Sequence, residues 1–347
     1  MRWKAYKYAL PLIIFAGAGI SFTSTGIIVW LPVLYAFILI PLIELAIKPS
    51  EQNMDEAEGE IAKNDRVYDW FLYVIVPLQY ASLFLFLTTI ETDGLTAWDI
   101  SGRVMVMGLQ CGVFGINVAH ELGHRVKPAE QLLAKSLLAT SLYMHFFIEH
   151  NRGHHKHVGT PGDPSTARYG ESLYGFWLRS ISGVYMNAWR IASEEQRKKN
   201  KPWWQNEMLG YQLVELGFCL LIGLAFGWFA LGCFLAAAVA GVLLLETVNY
   251  IEHYGLYRKE TGDGKYERTM PEHSWNSNHI VGRLMLFELS RHSDHHYLAS
   301  RKYQTLRHHE NSPQLPTGYP GSMILAMVPP LWFYLMNRKI RRMAVGR

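Results

Sequence analysis

"ALGCFLAAAVAGVLLLETVNYIEH", residues 230–253, carries a single charged side chain, Glu246, before its last turn. From Ala230 to Tyr250 it has the length a helix needs to cross a bilayer core, about 20 apolar residues. A carboxylate inside such a helix is costly unless it faces the bundle interior or a wet cavity. Three residues beyond Tyr250 stands His253, whose imidazole suits zinc, copper, iron and nickel. The stretch therefore reads as a membrane helix that runs out at a candidate metal ligand.

Five more apolar stretches precede it: Tyr6–Ile28, Trp30–Ile47, Trp70–Ile90, Val104–Ala119 and Leu209–Trp228. The composition agrees, since half of the 347 residues are hydrophobic and only 18% are charged. Pro32 and Pro41 in the second stretch are tolerable in a membrane, where neighbouring helices satisfy the freed backbone groups. Glu44 and Glu215, like Glu246, need interior partners. The expected fold class is an all-α integral membrane protein with six transmembrane helices and a cytoplasmic histidine-rich region. One membrane domain is expected over residues 1–347, with long loops 120–208 and 251–330. Leu132–Ile148 is expected to form a buried or interfacial helix. Met323–Met336, broken by Pro329 and Pro330, is expected against the membrane surface.

Six spans put both termini on one side. Basic residues gather at the N-terminus (Arg2, Lys4, Lys7), in the long loop from Arg125 to Lys201, and in the tail "NRKIRRMAVGR". The positive-inside rule places these in the cytoplasm. The net charge of +4 follows from that topology, and no nucleic-acid partner is inferred from it. The opening apolar segment is expected to be an uncleaved first helix rather than a signal peptide, because a second span follows at once. Cys111, Cys219 and Cys233 all lie inside spans and form no C-x-x-C pair, which excludes a zinc ribbon, an iron–sulfur motif and a disulfide framework.

None of the 15 histidines precedes residue 120. "HELGH" gives His120 and His124, on one face of a helix at i and i+4. "HNRGHH" gives His150, His154 and His155; "NYIEH" gives His253; "RHSDHH" gives His292, His295 and His296. All nine fall on the proposed cytoplasmic side, and two of the groups extend membrane helices directly. That is too many ligands for one ion and a natural number for two. A zinc protease reading of "HELGH" leaves six clustered histidines unexplained. A metal transporter places its ligands within the spans rather than beyond their ends. The remaining histidines take an interior or surface reading, with His157, His308 and His309 on the surface. Glu121, Glu149, Glu252, His273 and Asp294 are candidates to orient the ligating rings, with His279 also near the metal segments. A bound histidine usually donates its other N–H to such a group.

The words "NVAHELGHR", "FFIEHNRGHH", "TPGDPSTARYGES", "NYIEHYGL", "HSWNSNHIV", "LSRHSDHH", "YQTLR" and "LPTGYPG" occur in this order. Together they closely resemble the alkane 1-monooxygenase (AlkB) family, within the fatty acid desaturase-like superfamily of membrane di-iron enzymes. The resemblance covers most of the chain from the third span to about residue 330. It implies a multi-pass enzyme of the bacterial inner membrane that hydroxylates the terminal carbon of medium- to long-chain n-alkanes. O2 is the co-substrate, and electrons come from rubredoxin, supplied by a rubredoxin reductase and NADH. Two irons are implied, on His120, His124, His150, His154, His155, His253, His292, His295 and His296. Val118-Ala119 stands where the family often has Thr-Gly, a conservative change.

An alkane offers no polar handle, so it must be held by burial, at about 0.8 kcal/mol per CH2. A channel between apolar helices, opening from the bilayer and ending at the irons, meets that need. In relatives a bulky residue in the second span limits how deep an alkane extends, which places the corresponding position here at Ala36, with Phe37 beside it. The chain shows no haem motif and no G-x-G-x-x-G after a strand, so neither haem nor flavin is expected and the reductant is external. Arg125, Lys127, Arg152 and Lys156 are candidates to steer an acidic donor. Related hydroxylases or desaturases acting on xylene-type aromatics or fatty acyl chains remain an alternative, and a histidine-rich metal transporter a distant one.

Overall fold

A computed structural model describes residues 2–345. Met1 and the last two residues of the basic tail, Gly346 and Arg347, lie outside the described residues. The chain is 71% helical, and the described residues form a single sheet, the hairpin Glu260–Gly262 with Lys265–Tyr266. The all-α expectation holds. Six helices are long and apolar enough to cross a membrane: Trp3–Thr23, Gly26–Ala46, Arg66–Thr89, Ala97–Gly123, Glu207–Phe226 and Trp228–His253. This is a multi-pass membrane protein. Only 17% of the apolar window in the fifth span is buried within protein; Leu213, Leu216, Leu220 and Leu224 point outward, where hydrocarbon rather than water suits them.

The first boundary differs from expectation. The first span ends at Thr23, with Ser24 extended rather than helical through Ile28. Gly26 takes φ +70°, a left-handed conformation open to glycine, and its N–H donates to Asp99 Oδ1 at 2.6 Å. That turn starts the second span earlier. The fourth span runs on to Gly123, so "HELG" continues a membrane helix. Leu132–Ile148 is not one helix: Pro128–Ala139 is helical, Leu142 adopts φ +50°, and a new turn begins at Phe146. The double proline likewise separates Tyr319–Ala326 from Pro329–Val345. A long helix inside the expected loop region had not been foreseen. Leu173–Lys198 buries Leu173, Phe176, Ser180, Val184, Ala188 and Ala192, one stripe at helical spacing.

The chain divides into two compact units. The first comprises Met1–Ala36, Asp65–Asn151 and Tyr185–Leu245. Its core gathers Phe22, Phe86, Val106, Met107, Cys111, Phe234 and Ala237. Here the fourth and sixth spans approach through small residues. A Cβ added at Gly108 would lie 2.7 Å from the Ala240 Cβ, and one at Gly241 would lie 2.5 Å from the Cys111 Cβ. Such close approach is how membrane helices gain packing without a hydrophobic driving force between them. Glu215 is satisfied internally, by the Met144 N–H at 2.7 Å and Gln212 at 3.0 Å.

The second unit comprises Phe37–Asn64, Arg152–Val184 and Glu246–Arg347. Tyr250, Tyr254 and Trp332 pack ring against ring, and Trp275 donates its indole N–H to the Tyr254 carbonyl at 2.9 Å. Glu44 accepts from the Gly282 N–H at 2.7 Å, and Glu246 from the Ser180 hydroxyl at 2.5 Å. Glu44, Glu215 and Glu246 therefore each find a donor inside the protein, as their location within spans requires.

Candidate metal centre

In the first unit, His120 ends a helical turn that continues the fourth span, and His124 caps it. The C-terminal end of a helix carries partial negative charge and favours a cation. His124 Nε2 stands 3.1 Å from His150 Nε2. The His120 ring centre lies 4.8 Å from that of His124 and 4.4 Å from that of His150. Phe146 stacks on His150 at 4.6 Å and fixes its plane.

In the second unit, His154, His253, His292 and His296 offer ligand atoms that all lie within 4.8 Å of one another, and all four side chains are buried. His253 Nε2 and His292 Nε2 are 3.1 Å apart. A further pair, His155 Nε2 and His295 Nε2, is also 3.1 Å apart. His150–His154 forms a wide turn of the π type. Such turns recur at functional sites, and this one carries the H-x-x-x-H-H group.

Three Nε2 pairs at one distance have a simple explanation. Two nitrogens bound at right angles to an ion about 2.1 Å away stand about 3 Å apart. His296 adds a chemical sign: both ring nitrogens are buried and make no hydrogen bond, an arrangement that costs free energy unless another partner is present. Burial and the neighbouring rings hold its pKa well below the usual histidine value, which keeps it in the neutral form that binds metals. The donor set fits iron, being all imidazole with room for further ligands.

The residues expected to orient the ligands divide. Glu252 reaches a ligand candidate: its Oε2 lies 3.2 Å from His292 Nε2. Asp294 does not take that role. It is fully buried and accepts from Arg301 at 2.7 Å, the Arg307 N–H at 2.9 Å and the His309 ring at 2.7 Å. It therefore ties the loop after the "HSDHH" helix to that helix. His273 accepts the Met270 N–H and pairs with Glu267 at 3.2 Å, which orders its own turn. Glu149 accepts from Asn187 at 2.8 Å, and Glu121 accepts from Arg125 at 2.6 Å. His279 pairs with the Ser277 hydroxyl at 3.0 Å.

Arg125 does not serve as a docking residue. It is buried, with its guanidinium bridging Glu121 and Asp69. Burial opposes its charge, but those carboxylates outweigh burial and raise its pKa. Lys127 and Lys156 are exposed and Arg152 is half-buried. Ala36 is buried and Phe37 half-buried in a π-type turn of the second span. His308 and His309 are half-buried and hydrogen-bonded, to Asn278 and Asp294, rather than free on the surface.

One carboxylate at the site went unforeseen. Asp163 Oδ2 sits 3.0 Å from His154 Nδ1 and accepts from the Thr166 hydroxyl at 2.6 Å. Burial opposes ionisation of Asp163, yet His154 and Thr166 outweigh it and hold the carboxyl below its ordinary pKa. With Nδ1 engaged there, His154 presents Nε2 to a metal. The signal was the aspartate in "TPGDPST", a turn directly following the histidine group.

A multi-pass helical protein that gathers imidazoles from separate segments, with a carboxylate behind one of them, defines a membrane metalloenzyme. The fatty acid desaturase family matches residues 98–323. Alkane 1-monooxygenase 2 of Pseudomonas aeruginosa is 40% identical over all of this chain and 94% of its own length. Alkane 1-monooxygenase 1 of the same organism is 47% identical over 72% of this chain and 66% of its own. The xylene/toluene monooxygenase hydroxylase component of Pseudomonas putida is 28% identical over 69% of this chain and 64% of its own. The chain belongs to the alkane 1-monooxygenase family, within the fatty acid desaturase family, and is a monooxygenase.

Proposed function

We propose that this chain hydroxylates the terminal carbon of medium- to long-chain n-alkanes to 1-alkanols, with O2 and electrons from a rubredoxin, at two irons held by histidines. One iron takes His154, His253, His292 and His296; His120, His124 and His150 of the first unit, and His155 and His295 of the second, are the remaining ligands. The observation that carries this is the set of three Nε2 pairs at 3.1 Å in a chain of this family. Rubredoxin reductase and NADH stand upstream of the donor. The site and both termini face the cytoplasm of the bacterial inner membrane, on the charge pattern of the loops.

Iron, when bound, supplies the O2 chemistry that an unactivated C–H bond requires. The chain's own residues do the rest. Apolar spans collect the alkane from the bilayer, each buried CH2 contributing about 0.8 kcal/mol. Ala36 and Phe37 line the depth of that channel. Asp163 holds the proton on His154 Nδ1. The buried four-histidine group keeps water away. Lys127, Arg152 and Lys156 attract the acidic donor.

The test is turnover of octane, hexadecane and p-xylene by purified, iron-reconstituted protein with rubredoxin and its reductase, the products read by gas chromatography. 1-Octanol and 1-hexadecanol are expected, with about two irons per chain. Exclusive methyl oxidation of p-xylene would move the chain to the xylene-type hydroxylases. Full activity with zinc alone would remove the iron assignment.

A further inference from the structure

"RKKNKPWWQN", residues 197–206, joins the end of the helix Leu173–Lys198 to the fifth span, which opens at Glu207. The joint lies in the first unit, and it is ordered. Asn200 takes φ +52°, a left-handed turn that asparagine tolerates and that ends a helix. The Gln196 side chain donates to the Lys201 carbonyl at 3.2 Å. Buried Asn206 accepts from the Met208 N–H at 2.9 Å, which caps the fifth span. Its amide donates back to Ser193 at 3.1 Å and Gln196 at 3.2 Å. The joint is thus pinned at both ends, and the exposed side chains between stand on a fixed frame.

Those side chains are of two kinds. Trp203 and Trp204 are 71% and 64% exposed, edge to face with ring centres 6.0 Å apart. Arg197, Lys198, Lys199 and Lys201 are exposed beside them in the chain. The nearby acids are engaged: Glu194 by Arg190, Glu195 by Lys199 and Glu207 by Lys135. That leaves three cations, Arg197, Lys198 and Lys201, with no carboxylate partner among the described residues.

Water alone suits neither kind. Two adjacent exposed indoles mark an interaction surface, and tryptophan gathers at headgroup level where membrane helices emerge. These two directly precede a span whose leucines face hydrocarbon. Lysine and arginine stems are long enough to reach lipid phosphates from that level, and anionic lipids attract each such charge. We propose that Arg197, Lys198, Lys201, Trp203 and Trp204 form a binding site for the headgroup of an anionic phospholipid. Cations alone would suit an acidic protein equally well. Two indoles leading into a lipid-facing helix favour the membrane. The site needs no metal and is independent of the reading of the histidines.

The experiment uses the full-length protein in nanodiscs that mix phosphatidylglycerol with phosphatidylcholine. Retained lipids are identified by native mass spectrometry, and brominated phosphatidylglycerol reports tryptophan quenching. The wild type should retain phosphatidylglycerol preferentially, and salt should weaken that preference. Changing the three cations together, by Arg197→Gln, Lys198→Gln and Lys201→Gln, should reduce it about 10- to 100-fold. Lys198→Arg with Lys201→Arg should keep it, and Trp203→Phe with Trp204→Phe should remove part of the quenching. All five side chains are exposed, so these changes spare the fold. Lys259→Gln with Lys265→Gln, exposed at the hairpin of the second unit, should leave the preference unchanged. An equal loss from that pair would reduce the effect to general surface charge and overturn the site. An unchanged preference in the triple variant would also overturn it. So would weaker binding of an acidic rubredoxin to the triple variant in lipid-free detergent, with lipid retention unaltered.

Discussion

The two units surround their histidines differently. In the second unit His154, His253, His292 and His296 are all buried, and carboxylates stand within hydrogen-bond reach of two of them, Asp163 at His154 and Glu252 at His292. In the first unit His124 is only half-buried and Phe146 stacks on His150. Burial explains the contrast. An ion taken fully out of water must have its charge met by protein, whereas one near a half-open ring is partly served by solvent. On the proposed function, the closed group would keep its metal away from water, and the half-buried His124 leaves the trio of the first unit more open.

The harshest test of that contrast is His292→Ala. It should remove one iron and reduce alkane turnover to background, with the protein still in the membrane. His253→Ala should match it, because the two nitrogens face one another at 3.1 Å. His308→Ala, whose ring meets Asn278 at 3.0 Å, should change turnover by no more than a few fold. Equal tolerance of His253→Ala and His308→Ala would take His253 out of the closed group.

Asp163 and Asp294 then separate metal support from scaffold. Asp163→Asn should weaken iron binding about 10- to 100-fold at the closed group, measured by chelator competition. Asp294→Asn leaves Arg301 and His309, both half-buried, without their anion, which costs about 1–3 kcal/mol of stability. Iron per folded chain should hold steady in that variant. The reverse pattern would exchange the two roles.

Ala36→Trp probes the channel instead of the metal. Overpacking an apolar site costs about 1–3 kcal/mol, so hexadecane turnover should fall about tenfold to a hundredfold while octane is spared. A uniform loss of both, normalised to iron-loaded protein, would assign Ala36 to helix packing.

The smallest effect concerns His145, buried in the first unit between Tyr143 and Tyr185. Burial pushes its pKa from 6.5 down to about 4. Because the folded value lies below the unfolded one, the unfolded chain binds the proton first as pH falls. The stabilisation is complete above about pH 6.5 and is lost as pH drops toward 4. At pH 5 the loss is about 2 kcal/mol. His145→Phe should flatten that part of the stability curve, measured by denaturation in detergent. A retained slope would place its source in another group.

The nine ligand candidates were legible because two local rules expose them. Apolar runs mark the spans, and histidine spacings of three to five residues mark helical turns at or beyond the span ends. Asp163 was hidden because no short-range rule links it to His154 across nine residues and a turn. Arg125 misled because a basic residue near "HELGH" looks like surface charge until Asp69, from another span, is seen to bury it. The Leu173–Lys198 helix was missed because its small and polar buried positions, Ser180, Ala188 and Ala192, do not stand out as an apolar stripe.

By itself the sequence determined the helical membrane class, the six spans to within seven residues at their ends, and the nine histidines that stand as ligand candidates. These depend on hydrophobicity and spacing, which are properties of neighbours along the chain. Only the tertiary structure decided which nitrogen faces which, that Asp163 backs His154 while Asp294 binds arginine, and that Glu252 reaches His292 instead of the adjacent His253. Those outcomes depend on where one side-chain oxygen sits after distant segments pack, and a shift of about 1 Å separates a hydrogen bond from none.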